Sequence, residues 1–198
     1  MKKYILFFVL FSVTAVSVTI AQVRVNPKIG LNASSLTTEN ADWEEDGVRV
    51  GLNVGVDFRI GDDGDNWFFF QPGVHYYSIG AQLINDANSE RIDDVVAINS
   101  LKIPLNGGFY LTGTTDGILA VRVNGGIVPT FMLGVEDNNF GLDRDDFRSV
   151  NLGLNAGIGI DILFISLDFG YEWGLTEFFG TGEGRNRIFG ASLGIVLP

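Results

Sequence analysis

The sequence predicts an all-β fold: an eight-stranded antiparallel up-and-down transmembrane β-barrel, preceded by a signal peptide. Three observations predict it. Long stretches alternate apolar and polar residues with a period of two, and their polar rows are glycine and asparagine. The connections alternate long and short. The outward rows carry no charge. The alternation is plainest at 48–60, where Val48, Val50, Leu52, Val54, Val56, Phe58 and Ile60 interleave with Arg49, Gly51, Asn53, Gly55, Asp57 and Arg59. Residues 150–162 repeat it, with Asn151, Gly153, Asn155, Gly157, Gly159 and Asp161 between apolar neighbours. Period-two alternation means a strand with one apolar and one polar face. A face that meets bulk water usually carries Lys, Glu and Thr. Gly and Asn suit a narrow, crowded interior, and an apolar outside around a small polar inside fits a barrel in lipid.

The elements follow in chain order. Lys2 and Lys3, an apolar core over 4–18 and a cleavage site at Thr19-Ile20-Ala21 read as a secretory signal over 1–21, leaving 22–198 as the barrel domain. The apolar stretch is short for the alternative, an uncleaved membrane anchor. Eight strands are expected at 25–36, 47–60, 67–83, 95–111, 118–133, 149–162, 164–176 and 187–197. The connections 37–46, 84–94, 134–148 and 177–186 are long and acidic, whereas 61–66, 112–117 and a turn near Leu163 are short. Strict alternation puts all long connections at one end, as in barrels with long extracellular loops and short periplasmic turns. A Greek-key sandwich has no reason to produce it. Ile29, Leu31, Val74, Ile103, Leu105, Val121, Val123, Ile127, Leu167, Phe169, Leu193 and Ile195 fall on the outward face. Trp67, Phe68, Phe70, Phe109, Tyr110, Tyr171 and Trp173 gather near strand ends, as interfacial girdles do. Pro72, Pro104 and Pro129 fall inside strands, and each should mark a bulge or bend because proline removes a ladder donor.

The inward rows carry Lys28, Arg49, Asp57, Arg59, Lys102, Arg122, Asp161, Asp168 and Glu172, five basic and four acidic groups. Eight strands leave an interior just wide enough for side chains to fill, so paired charges should plug the lumen. By depth, Asp168 and Glu172 are the expected acceptors for Lys102 or Arg122. A small-ligand or ion path through the network is the functional alternative.

The whole chain carries a net charge of −11, and removing Lys2 and Lys3 takes the mature chain to about −13. That excess sits in the connections. Glu44, Glu45 and Asp46 in the first, Asp93 and Asp94 in the second, and Asp143, Asp145 and Asp146 in the third are candidate contacts for cations or a basic partner; a solvated surface is the plain alternative. Nucleic acid is a poor partner for so acidic a chain. There is no cysteine, hence no disulfide or thiolate chemistry. The single histidine, His75, shares its face with Gln71 and Tyr77 and cannot form a histidine metal cluster. No G-x-S-x-G elbow is present. Asp137-Asn138-Asn139-Phe140-Gly141 misses the spacing of a calcium loop. No cofactor, metal or catalytic residue is therefore expected.

Four segments carry a resemblance: Lys28-Ile29-Gly30-Leu31-Asn32-Ala33-Ser34, Phe70-Gln71-Pro72-Gly73-Val74-His75-Tyr76-Tyr77-Ser78-Ile79-Gly80-Ala81, Leu101-Lys102-Ile103-Pro104-Leu105 and Gly125-Gly126-Ile127-Val128-Pro129. In order and spacing they resemble the outer-membrane β-barrel domain common in Bacteroidetes, the PorT-like family, over 28–198. The three strand prolines recur in that pattern. The resemblance implies a membrane barrel without known catalytic residues, and a PorT-like member is linked to protein secretion. The chain departs from many barrels in ending Leu197-Pro198 instead of on an aromatic.

The reading is a non-enzymatic outer-membrane barrel with a filled lumen and acidic extracellular loops. Its role is structural or adhesive, with secretion association implied by the resemblance alone. Its partners are membrane lipids and an extracellular or envelope protein. The alternatives are a secreted soluble barrel of lipocalin type, apolar side inward around a small apolar ligand, and a lipid-acting membrane enzyme using His75.

Overall fold

The computed structural model describes residues 23–37, 44–45, 49–61, 67–85, 92–113, 117–135, 148–177 and 185–198. Its strands are β1 (Val23–Thr37), β2 (Glu44–Glu45), β3 (Arg49–Ile60), β4 (Phe68–Asn85), β5 (Ile92–Lys102), β6 (Leu105–Thr112), β7 (Leu119–Val135), β8 (Val150–Ile162), β9 (Ile165–Gly174) and β10 (Arg185–Ile195). Apart from the two-residue β2, each stave pairs antiparallel with the next in sequence, and β10 returns to β1 over Lys28↔Gly194 to Thr37↔Arg185. A bridge between Val25 and Leu197 extends that seam to the terminus. β5 and β6 share one stave, so the barrel has eight and no free edge, the condition for burying a sheet in hydrocarbon.

Exposure follows the alternation. Leu31 and Val54 are 54% and 53% exposed, while their neighbours Asn32 and Asn53 are 2% and 4%. The lipocalin-type alternative is overturned here, because it needs the valines and leucines inside. Four expectations change in detail. The fourth expected strand is two, β5 and β6, parted at Ile103 and Pro104. Asp93 and Asp94, expected in a loop, lie in β5 opposite Ile84 and Leu83. Glu44 and Glu45, also expected in a loop, form β2 against the same two residues on the other edge of β4. Strands continue past the apolar belt, and beyond it nothing opposes a charge on a strand. Tyr110 is not a girdle residue: it is 3% exposed and turned inward. The signal peptide at 1–21, Asp46, the 137–141 segment, Asp143, Asp145 and Asp146 lie outside the described residues.

The prolines form one crease across three neighbouring staves. Pro72 on β4 faces Leu105, and the Gly73 amide donates to the Pro104 carbonyl at 2.9 Å. The Ile103 amide donates to the Pro129 carbonyl on β7, also at 2.9 Å. Each proline's missing donor therefore falls at one level, and β4 changes partner from β6 to β5 there. The register between this stave and β7 is kept through the break. The two-residue turn between β8 and β9 puts Leu163 at φ 55°, left-handed as tight hairpins require, with its amide donating to the Ile118 carbonyl at 3.0 Å.

Candidate functional site in the barrel lumen

Long charged side chains fill the lumen because the glycines of the polar rows leave room for them. A Cβ added to Gly159 on β8 would fall on the Arg122 guanidinium. One at Gly73 or Gly55 would meet the His75 ring, and the Gly73 one Asp57 as well; one at Gly153 would meet Glu172. Each glycine is thus a floor under a neighbouring stave's side chain. Gly159→Ala is expected to push Arg122 off its carboxylates and destabilise the barrel by about 1–3 kcal/mol, read as a lower midpoint in urea unfolding from lipid vesicles. Gly170→Ala, whose Cβ would meet only the Ala156 carbonyl at 3.8 Å, serves as the control.

The charges form one connected chain and one separate pair. Arg59 donates to Asp161 through both terminal nitrogens, at 2.6 and 3.0 Å. Arg122 reaches the same carboxylate from β7 at 3.1 Å and also holds Asp168. Ser166 accepts from Arg122 at 3.0 Å and donates to Asp168 at 2.8 Å. Lys28 lies 2.6 Å from both Asp168 and Asp57. Asp57 also takes Gln71 Nε2 at 2.7 Å and sits 2.7 Å from His75 Nε2. Lys102 donates to both Glu172 oxygens at 2.7 Å, with its ammonium 4.7 Å from the Tyr77 ring centre. In these contacts four cations, Lys28, Arg59, Lys102 and Arg122, meet four carboxylates, Asp57, Asp161, Asp168 and Glu172. Removing one member of such a pair leaves its partner uncompensated, which is far costlier than never having had the pair.

Of the nine residues expected in the lumen, the structure puts eight in ion pairs, six in one network and Lys102 with Glu172 apart. Arg49 stands apart: it is half-buried at the start of β3 and has no ion pair among the described residues. Several members were not expected in the lumen from sequence. Ser166 stitches Arg59, Arg122 and Asp168 together, and Tyr110 places its hydroxyl 3.4 Å from Arg59. Phe69 packs on Tyr110, ring centres 5.2 Å apart. With Ala120 these two rings form an apolar stopper at the short-turn end, beneath Arg59 and Arg122, which are both 0% exposed. The signal for Phe69 was its parity: it falls inward between the outward Phe68 and Phe70.

Above that stopper lies a polar cavity of about 110 Å³, lined among others by Lys28, Asp57, Gln71, His75, Asn106 and Asn155. A smaller one of about 20 Å³ lies toward the long-connection end, beside Asn151, Thr176 and Asn186. Lys102 and Glu172 line both.

The sequence matches the family described as outer membrane protein beta-barrel domain over residues 18–180. No curated protein matches it. Among solved structures, Neisserial surface protein A is similar at 11% identity, with a TM-score of 0.53 over 88% of this chain and 97% of that one. Ail, the attachment invasion locus protein of Yersinia pestis, in complex with the heparin analogue sucrose octasulfate, gives 0.52 at 12% identity, over 89% and 99%. The outer membrane protein OprG from Pseudomonas aeruginosa gives 0.52 at 14%, over 89% and 95%. At these identities the likeness is one of fold.

Proposed function

Since the chain belongs to the outer membrane protein β-barrel domain family, we propose that it is a non-enzymatic, plugged barrel whose role is structural or adhesive and is carried by its long, acidic connections. Outer-membrane location and contact with membrane lipids follow from the family. The rest is our reading. Residues 1–21 direct export and are removed, leaving Gln22 first. Kinship with the PorT-like proteins of Bacteroidetes, and with it a secretion-associated role, rests on the four segments quoted above.

The observation that carries the plugged reading is the layer of Arg59, Asp161 and Arg122, 0–2% exposed and backed by Phe69 and Tyr110. A solute crossing the lumen would have to break this buried ion network. His75, the candidate catalytic base of the enzyme reading, is held against Asp57 inside the lumen, away from lipid, which favours a structural role.

Charge narrows the partner. Ail was crystallised with a polyanion. The long connections and the strand ends beside them carry Glu39, Asp42, Glu44, Glu45, Asp46, Asp86, Glu90, Asp93, Asp94, Asp137, Asp143, Asp145 and Asp146, so a polyanion would be repelled. A basic protein surface is the partner that fits. The plugged reading is tested by reconstituting the purified protein in planar bilayers. It expects no steady conductance; a stable ohmic pore at modest voltage would overturn it.

A further inference from the structure

We propose that Arg185 and Arg187, on the outward face of β10, bind the terminal phosphate of an anionic lipid in the leaflet at the long-connection end. The inference rests on the barrel lying in a bilayer. The outward rows are uncharged through the apolar belt, but the expectation of no outward charge at all fails at the start of β10. Ile195, Leu193 and Phe189 share their parity with Arg187 and Arg185, and all five are exposed. An outward arginine is tolerated near a membrane interface and not at the midplane, and depth puts both at the interface. At about 3.4 Å per residue and a tilt of about 40°, the climb from Leu197 to Arg187 is about 25 Å, the height of an apolar band. Trp173, the partner of Arg187 on β9, and Tyr171 against it mark the same level, as interfacial aromatics do.

Both cations are open. The chain has 24 acidic against 13 basic residues, yet neither Arg185 nor Arg187 has an ion pair among the described residues. Arg148, just before β8, is by contrast held by Glu177 at 2.9 Å. The acidic strand ends stand away from β10. Glu44 and Glu45 on β2 and Asp93 and Asp94 on β5 flank β4, which lies beyond β1 and β3. Chemistry then picks the ligand. Guanidinium groups are always charged, and their forked donors match phosphate oxygens. Two residues apart on one face, the arginines start about 7 Å apart along the strand, within reach of one shared phosphate. A phosphate monoester carries about −1.5 to −2 charges, which suits two arginines better than the single charge of a diester. Ser35, opposite Arg187 on β1, adds a hydroxyl to the same face. The rim is thereby divided: lipid phosphate on the β10 side, and an acidic side around β4 left for a basic partner.

The test places the full-length mature protein in phosphatidylcholine nanodiscs with rising fractions of phosphatidic acid and follows arginine Nε–H NMR signals. Saturable shifts are expected at Arg185 and Arg187. Phosphatidylserine, whose surplus charge is a carboxylate, should shift them less at the same fractions. Arg187→Gln should weaken phosphatidic acid binding by about fivefold, the weight of one arginine at an anionic surface, and Arg148→Gln should leave it unchanged. Should a variant fail to fold, the comparison of the two lipids on the unaltered protein decides. No saturable shift, an equal response to phosphatidylserine, an equal loss from Arg148→Gln, or saturation by inorganic phosphate in discs of phosphatidylcholine alone would each overturn the proposal. Acyl-chain contacts to Leu31 and Ile127 in discs without phosphatidic acid check the bilayer reading separately. Their absence sinks that reading and the proposal with it, whereas silent arginines beside intact contacts sink the proposal alone.

Discussion

Replacing Asp161 with leucine is expected to destabilise the barrel by about 3–5 kcal/mol, the range for removing one partner of a buried ion pair. Asp161 is 2% exposed and is the shared acceptor of Arg59 and Arg122, both 0% exposed. Arg122 would keep Asp168 and Ser166. Arg59 would lose both of its contacts to that carboxylate while its guanidinium stays fully buried. The second substitution identifies the cause. Asp161→Leu combined with Arg59→Met removes the guanidinium together with its carboxylate and should recover most of the loss, since apolar replacement of a whole pair is often neutral. Urea unfolding from lipid vesicles measures both. A single-variant loss within about 0.5 kcal/mol, the range of an inconsequential surface change, would show that the network is not buried as described.

The other large effect is on the outer surface. Ile127 stands at the middle of β7 and is 44% exposed. Ile127→Arg should cost about 2–4 kcal/mol in a bilayer, because an arginine at the midplane loses its hydration. Leu119, at the short-turn end of the same strand and 54% exposed, should tolerate arginine at about 0–1 kcal/mol. A surface in water would accept both within about 0.5 kcal/mol. The depth dependence, not the size of either loss, separates a lipid-facing surface from a wet one. Refolding yield and urea midpoints in vesicles of one lipid composition read it out.

The sequence carried the architecture because a barrel in lipid writes its two faces into alternate residues. Leu31 against Asn32 and Val54 against Asn53 are legible without coordinates, and so is the alternation of long and short connections. Parity also places Lys28, Asp57, Arg59, Lys102, Arg122, Asp161, Asp168 and Glu172 on one row system. It does not say who meets whom. Arg59 on β3 and Asp161 on β8 are 102 residues apart and sit on staves that do not pair, so their contact depends on stagger across the lumen. The Asp57–His75 contact was likewise hidden, although β3 and β4 are adjacent, because it depends on how far each side chain leans across Gly73. Tyr110 was misplaced because an aromatic near a strand end fits a girdle by composition, and only its parity, opposite to that of Phe109, separates the two. The strand ends at Asp93, Asp94, Glu44 and Glu45 were misjudged for another reason. Acidic composition marks water, and strands there continue into water.

The orientation of the sheet is tested most directly by nuclear Overhauser contacts to lipid in nanodiscs, with no substitution in the chain. Methyl groups of Leu31, Val54, Ile127, Ile158 and Leu193, each 42–54% exposed, should show cross-peaks to acyl-chain methylenes. Those of Ile79, Ile98, Val128 and Ile188, 1–3% exposed and turned inward, should show none. Acyl-chain contacts absent from the first set, with water cross-peaks in their place, would contradict the account.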